Sequence, residues 1–259
     1  MEETKPKFIH LHTHSHYSLL DGLSKTKDLI ELAKKFKMPA MAITDHGNMY
    51  GAIEFYKLAK KEGIKPIIGV EAYMAERSCL DKEYGVDNKR YHLTLLAKNI
   101  EGYKNLIRLV TISNTEGYYY KPRMDKEILK KYSDGLICLS GCLGGELSQA
   151  IANRDETKAE KIIREYQEIF GKENYFIEIQ CHPHVENDEY VRKSLIALAK
   201  KHDIPIVATQ DSHYPCSDDH EAHHTLLQIN TQGDSKEASK FEFSDDDFSF
   251  LNTEKAMEV

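Results

Sequence analysis

Short apolar segments alternate along this chain with amphipathic helical stretches, and most of the apolar segments end in histidine or a carboxylate. Seven segments have strand character: 8–12, 39–44, 66–73, 91–97, 135–139, 174–180 and 204–209. Between them, apolar residues recur at helical spacing. Lys27–Phe36 places Leu29, Leu32, Ala33 and Phe36 on one face, and Met49–Glu62 carries Ile53, Tyr56 and Ala59 before Gly63. Asp155–Phe170 carries Ala159, Ile162, Ile163, Tyr166 and Phe170 before Gly171, and Asp188–His202 carries Val191, Leu195 and Leu198. Gly102–Ser113 and Met124–Lys131 read as shorter helices. This alternation predicts an α/β fold with a parallel sheet covered by helices. No Gly-x-Gly-x-x-Gly follows the first strand, and no Gly-rich Lys-Ser/Thr loop occurs. An open sheet gathers ligand-bearing ends from few strands, at a switch point. A barrel brings every strand end to one rim. Polar ends on nearly all seven strands therefore predict an irregular barrel.

Composition bounds the partners. At 259 residues the chain can build one large core. It has no 18-residue apolar run, so no membrane span is expected. The start, MEETKPKF, lacks the apolar centre of a signal peptide, and a cytoplasmic location is the default expectation. The cysteines are odd in number, five, in a chain too large to need disulfide staples, which fits a reducing compartment. The net charge of −7 is uneven. Residues 215–259 hold 11 acids against 3 lysines; the rest holds 31 acids against 32 Lys and Arg. A chain that grips a long duplex unaided is usually more basic. A nucleic-acid substrate would need metal ions or a partner domain to supply attraction. The acidic segment 245–259, with Asp245, Asp246 and Asp247 adjacent, reads as a tail separate from a 1–244 domain. Phe243, Phe248, Phe250 and Leu251 are expected to pack only weakly in isolation.

The chemistry lies at the strand ends. His12 and His14 are two apart, so in extended chain they face one side and can share a metal. His10 continues the alternation deeper in the strand and reads as packed, and His16 as solvent-facing. In Ile43-Thr44-Asp45-His46-Gly47, His46 is the expected ligand and Asp45 its orienting carboxylate. Glu71 stands alone in the apolar run Ile67–Ala72, and an unpaired buried carboxylate is costly unless a metal binds it. Asp211 and His213 repeat the i, i+2 pattern after the last strand. His92 stands at the beginning of its strand, where ligand and core histidine remain equally open. Cys142, in Ser140-Gly141-Cys142-Leu143-Gly144-Gly145, is either a thiolate ligand or a small buried apolar residue. Imidazole and carboxylate suit Zn²⁺, Mn²⁺ and Fe²⁺ alike.

The string His12-Thr13-His14-Ser15-His16-Tyr17-Ser18-Leu19-Leu20-Asp21-Gly22 resembles the polymerase and histidinol phosphatase (PHP) domain, in the version carried by bacterial DNA polymerase III alpha subunits. Ala42–Gly47, Gly69-Val70-Glu71, His92–Ala97, Tyr118–Arg123, Ser140–Glu146 and Asp211–Tyr214 match it in the same order, over nearly the whole chain. The resemblance implies a distorted seven-stranded (β/α)7 barrel, TIM-barrel-like. It also implies two to three divalent metals held by His12, His14, Asp21, His46, Glu71, His92, Cys142, Asp211 and His213, with Glu71 bridging two of them. Asp21 enters on this ground alone. An intact set implies a phosphoesterase, which the family associates with 3′–5′ exonuclease proofreading. The parent protein would be a DNA-directed DNA polymerase whose palm, thumb and fingers lie outside this segment.

In such a site Glu71, His12, His14 and Asp211 are the expected catalytic residues, acting through metals that neutralise phosphate oxygens and acidify a water. Lys121 and Arg123 are expected to contact the phosphate chain. Tyr118, Tyr119 and Tyr120 offer stacking faces for a frayed 3′ base, or pack as a loop. The expected partners are a single-stranded or frayed 3′ DNA end, the other alpha-subunit domains and replisome subunits, and no membrane. The rival functions are a small-molecule phosphomonoesterase of the histidinol phosphatase type and a catalytically silent structural module.

Overall fold

The computed structural model describes residues 8–231 and 246–258. In chain order the elements are β1 (His12–Thr13), α1 (Thr26–Lys35), β2 (Ala40–Ile43), α2 (Ala52–Lys61), β3 (Lys65–Ala75), β4 (Arg90–Ala97) and α3 (Ile100–Thr115). They continue with β5 (Tyr118–Tyr119), β6 (Lys121–Met124), α4 (Lys126–Lys131), β7 (Leu136–Leu139), α5 (Glu146–Ala152), α6 (Glu156–Phe170) and β8 (Tyr175–Ile179). The last are α7 (Asp188–His202), β9 (Ile206–Ala208), β10 (Asp211–Ser212), α8 (His220–Asn230) and α9 (Thr253–Glu258).

The sheet curls into a distorted barrel. Neighbouring strands run β2-β3-β4-β7-β8-β9, and β10 continues the line of β9 to pair with β1. The β1 segment in turn meets β2, because the Ala42 N–H donates to His10 O and the Thr44 N–H to Thr13 O. Alternation sorts the side chains. Val70, Ala72 and Met74 of β3 and Leu93 and Leu95 of β4 face the helical layer, in one core with Leu106, Leu109, Ile162, Ile163 and Tyr166. The interior is filled at one end by Ala42, Leu96 and Leu139, with Leu11, Ile67, Phe176 and Val207 against them. Glu71, Thr94 and Glu178 occupy the same alternation further along β3, β4 and β8, and are buried.

The helices form where their apolar stripes predict. On α6 the Asp155 carboxylate caps the Lys158 N–H, Ala159, Ile162, Ile163, Tyr166 and Phe170 are buried, and Gly171 takes φ 76° where the chain leaves the helix. The helices α5 and α8 and the β5–β6 hairpin were not foreseen. The hairpin turns at Tyr120, at φ 59°.

Two expectations are corrected. The sheet is not wholly parallel: β4 runs antiparallel to both β3 and β7. Residues 76–89 between β3 and β4 contain no helix, and an antiparallel neighbour needs none. The chain end does not pack weakly either. The His213 N–H donates to Phe248 O, the Phe250 N–H donates to Tyr214 O, and His10 Nε2 lies 2.9 Å from Leu251 O. Phe250 stacks on His10 at 3.8 Å and joins the core of α1, α2 and β2. Phe248 and Leu251 are equally buried, because together with Phe250 they cover apolar surface beside β1 and β10. Asp246 is buried too, 2.6 Å from His184 Nδ1, so charge does not hold the segment off. Phe243 and Asp245 lie outside the described residues.

Candidate metal centre

Reversal of β4 explains its histidine. His92 lies near the start of β4 and pairs in register with Tyr73 near the end of β3, so a strand start and a strand end share one rim. The turn after β7 then folds back over β4, with the His92 N–H donating to Gly144 O. Gly141 permits this at φ 84°; a Cβ there would sit 2.7 Å from His92 O. Cys142 is thereby delivered 3.5 Å from His92 Nδ1 and 3.6 Å from Glu71 Oε1.

All nine ligand-type residues expected from the sequence converge at this rim. Glu71 is central. Its Oε1 lies 3.2 Å from His12 Nε2 and 3.0 Å from His92 Nδ1, and its Oε2 lies 3.3 Å from His14 Nε2 and 2.8 Å from His46 Nδ1. Asp211 Oδ1 lies 3.4 Å from His12 Nε2 and 3.3 Å from His14 Nε2. Asp21 Oδ2 lies 2.8 Å from His46 Nε2 and 3.4 Å from His213 Nε2. Among the described residues, three groups have ligand atoms mutually within 4.8 Å: His12/His14/Glu71, His46/Glu71/His92 and His14/Asp21/His46/His213. Glu71 is shared by the first two, His14 by the first and third, and His46 by the second and third.

The donor set fits metal ions. Among the described residues, His12 Nε2, His14 Nε2, His46 Nδ1, Glu71 Oε2, Asp21 Oδ2 and Asp211 Oδ1 are buried without a hydrogen-bond partner, although they crowd together. They lie 2.8–3.4 Å from ligand atoms of the cluster without forming hydrogen bonds, and orphaned buried polar atoms are costly unless something else binds them. Electrostatics agree. Burial alone would depress the His12 imidazole, but Asp211, Glu71 and Glu178 raise its pKa well above the ordinary value. Burial would raise the Glu71 carboxyl, but His92, His46 and His12 hold it well below. Without metal, protons supply positive charge that the carboxylates demand; divalent ions can replace them.

A second layer orients the rings, and the sequence reading missed its main member. Glu178 is 1% exposed on β8, and its Oε1 lies 2.7 Å from His12 Nδ1. It also accepts from Thr209 Oγ1 at 2.6 Å and from the Gly141 N–H at 3.1 Å. Such a carboxylate fixes the histidine tautomer and leaves Nε2 for the metal. The signal was present: Glu178 is a lone carboxylate in an apolar strand, as Glu71 is. The expected support of His46 by Asp45 is overturned: the Asp45 carboxylate turns to Ser15 and Ser18 instead. It accepts from the Ser15 N–H at 2.7 Å and from Ser18 Oγ at 3.1 Å. Ser18 Oγ lies 2.9 Å from His14 Nδ1, so the support passes to His14. His10 is packed away from the centre, and burial pushes its pKa down to about 4. His16 is exposed.

The expected phosphate contact at Arg123 is overturned. Arg123 is fully buried, and its guanidinium donates to the carbonyls of Gly117, Asp87, Cys79 and Asp81. Four backbone acceptors hold it inside, where it staples the 76–89 loop to β6. Lys121, two residues earlier, stays half-buried above Tyr73.

A curled sheet with a histidine and carboxylate cluster at one rim defines a barrel with a candidate metal centre, and comparison with known proteins gives its family. The PHP domain model matches residues 10–182, and the chain belongs to that family. It is similar to proteins named DNA polymerase III subunit alpha. The one from Borreliella burgdorferi is 44% identical over 257 residues, covering 98% of this chain and 22% of that protein. The one from Thermus aquaticus is 44% identical over 258 residues, covering 98% and 21%. The chain thus spans about one fifth of the length of these relatives. The fold resembles a provisionally assigned metal-dependent phosphoesterase from Bifidobacterium adolescentis, at TM-score 0.53 and 12% identity, over 82% of this chain and 89% of that one. It also resembles a two-domain Bacteroides vulgatus protein containing a PHP-like metal-dependent phosphoesterase assigned by prediction. There the TM-score is 0.51 at 17% identity, over 80% of this chain and 52% of that one. Among the described residues no helix is long and apolar enough to cross a membrane.

Proposed function

We propose that this chain is the PHP module of a replicative DNA polymerase III alpha subunit, and that its rim hydrolyses phosphodiesters at a single-stranded or frayed 3′ DNA end, as a 3′–5′ proofreading exonuclease. The observation that carries this reading is the convergence of the nine ligand-type side chains, six of which bear buried orphan atoms. His12, His14, Asp21, His46, Glu71, His92, Cys142, Asp211 and His213 would hold two to three Zn²⁺, Mn²⁺ or Fe²⁺ ions. Such ions would supply positive charge to the phosphate oxygens and acidify a water. Glu71 and Asp211 set the spacing of the centre from below, and His12 and His14 are presented to it by Glu178 and Ser18. Lys121 stands at the mouth, where a phosphate chain would pass. The remaining alpha-subunit domains and replisome subunits are the proposed partners, in the cytoplasm.

Metal content of the purified protein, read alongside hydrolysis of a 3′-labelled oligonucleotide and of a small phosphate monoester, tests the reading. Metal-dependent release of mononucleotides from the 3′ end is the expected result. Turnover of the monoester alone would replace it with a small-molecule phosphatase. Full metal occupancy with neither substrate cleaved would leave a structural module.

A further inference from the structure

The mouth of the metal centre carries two cations that form no ion pair among the described residues. Arg90 Cζ and Lys121 Nζ each lie 5.7 Å from the centroid of the Tyr73 ring. That ring stacks on His46 at 5.6 Å and 14° and meets the edge of His92 at 5.4 Å. Arg90 is two residues before His92 on β4, so alternation puts both on the same side of the strand. Lys121 arrives on β6, which lies against β3. By contrast, Arg77 pairs with Asp87, and the half-buried Lys126 pairs with Glu146 and Glu165. Among the described residues, neither Arg90 nor Lys121 has a carboxylate within 4.0 Å, and the hydrogen bond Arg90 does make goes to its neighbour Asn88 O. Burial and Arg90 both press the Lys121 ammonium below its ordinary pKa, which Asp21 of the metal cluster offsets in part. Holding like charges side by side in a half-buried place is unfavourable, and an anion between them removes the cost.

We propose that Arg90 and Lys121 form a phosphate subsite for the internucleotide phosphate next to the one being hydrolysed. Tyr73 is its floor, and the subsite selects a polynucleotide strand over a small ester. This rests on the phosphodiesterase reading above. The hairpin that carries Lys121 also exposes Tyr118 and Tyr120, by 54% and 56%, so it offers aromatic faces on which a base of the same strand can stack. A single phosphomonoester has no second phosphate to place there.

The test uses Arg90→Gln, Lys121→Gln and the double variant, each checked for metal content and melting temperature against the parent. Equilibrium binding of fluorescent oligo-dT by anisotropy, across a salt series, reads the subsite without requiring turnover. The logarithm of single-strand affinity falls with log salt by roughly 0.7 per neutralised phosphate, so losing this one phosphate contact in the double variant should flatten the slope by about 0.7. Where the parent hydrolyses DNA, the loss in kcat/KM should be about tenfold larger for the oligonucleotide than for bis(p-nitrophenyl) phosphate. An unchanged salt slope in correctly metallated, folded variants, or equal losses on both substrates, would overturn the subsite. A parent that binds oligo-dT through these residues yet cleaves no phosphodiester would instead overturn the phosphodiesterase reading and leave a strand-binding surface.

Discussion

Replacing Glu178 separates the orienting layer from the ligands. Its carboxylate takes hydrogen bonds from His12 Nδ1, Thr209 Oγ1 and the Gly141 N–H at 2.7, 2.6 and 3.1 Å, all buried. Glu178→Ala strips a partner from each of the three, and a buried orphan costs about 1–3 kcal/mol, so a stability loss of roughly 3–9 kcal/mol is expected. Glu178→Gln is the sharper probe. The amide oxygen still accepts from His12, but the bond falls from charged to neutral acceptor, a difference of about 1 kcal/mol. His12 Nε2, which faces Glu71 and Asp211, becomes a poorer donor to metal. Loss of an orienting carboxylate typically weakens metal affinity about 10–100-fold, equivalent to roughly 1.4–2.7 kcal/mol. Competition titration with a chromophoric chelator at fixed pH measures this directly, and a thermal melt of the metal-free variant reports fold integrity. In Glu178→Gln the amide nitrogen faces the Gly141 N–H and leaves one buried donor unmatched, so the expected pattern is a melt below the parent but above Glu178→Ala, with a tenfold or greater rise in metal Kd. A parental Kd would show that Glu178 is only a filler of the barrel interior.

Glu71→Ala should abolish hydrolysis and lower bound metal by at least one equivalent, with circular dichroism unchanged, because the residue touches four histidines of the centre; retained turnover would deny it a bridging place. Arg123→Met should cost about 3–5 kcal/mol, read by urea unfolding, since buried carbonyls of Gly117, Asp87, Cys79 and Asp81 lose a charged donor; a loss confined to DNA affinity would restore its sequence-based role. Arg77 holds the Asp87 carboxyl down to about 2 from an ordinary 3.8. A depressed carboxylate adds stability above its ordinary pKa and loses it as pH falls through the folded value. Asp87→Asn should therefore be less stable than the parent at neutral pH, and the two melting curves should converge between about pH 4 and pH 2; a constant gap would assign the effect to packing.

How far the site was legible depended on whether a residue's role was written locally. The pairs His12/His14 and Asp211/His213 declare themselves by spacing, because an extended strand turns every second side chain the same way. Glu71 declares itself as a charge inside an apolar run. His92 stayed ambiguous because its place follows from the direction of β4, and nothing within Arg90–Ala97 distinguishes a strand running up from one running down. The direction is set by the connection: residues 76–89 form a loop too poor in apolar periodicity to be the crossover helix that a parallel neighbour requires. Cys142 and Asp21 needed the family resemblance, since each reaches the rim through a turn, at Gly141 for one and after Ser18 for the other, whose geometry spacing does not encode.

The two basic residues of the β6 strand show the same limit from the opposite side. Lys121 and Arg123 share one side of a strand by parity, so sequence treats them as a pair. In the fold Arg123 meets four carbonyl groups of the 76–89 loop and its neighbours, where a guanidinium with five donors satisfies what no shorter side chain could. Lys121, two residues nearer the Tyr120 turn, finds no such acceptors and remains at the mouth beside Tyr73. Its cationic companion is Arg90, from a strand 31 residues away in sequence, brought there by the β3–β4 reversal that also delivers His92. One topological event thus places both a ligand of the metal centre and the charge next to it. Staple and subsite are coupled as well: Arg123 anchors Asp87 O, three residues before Arg90, so the buried arginine fixes the loop from which the exposed one is presented.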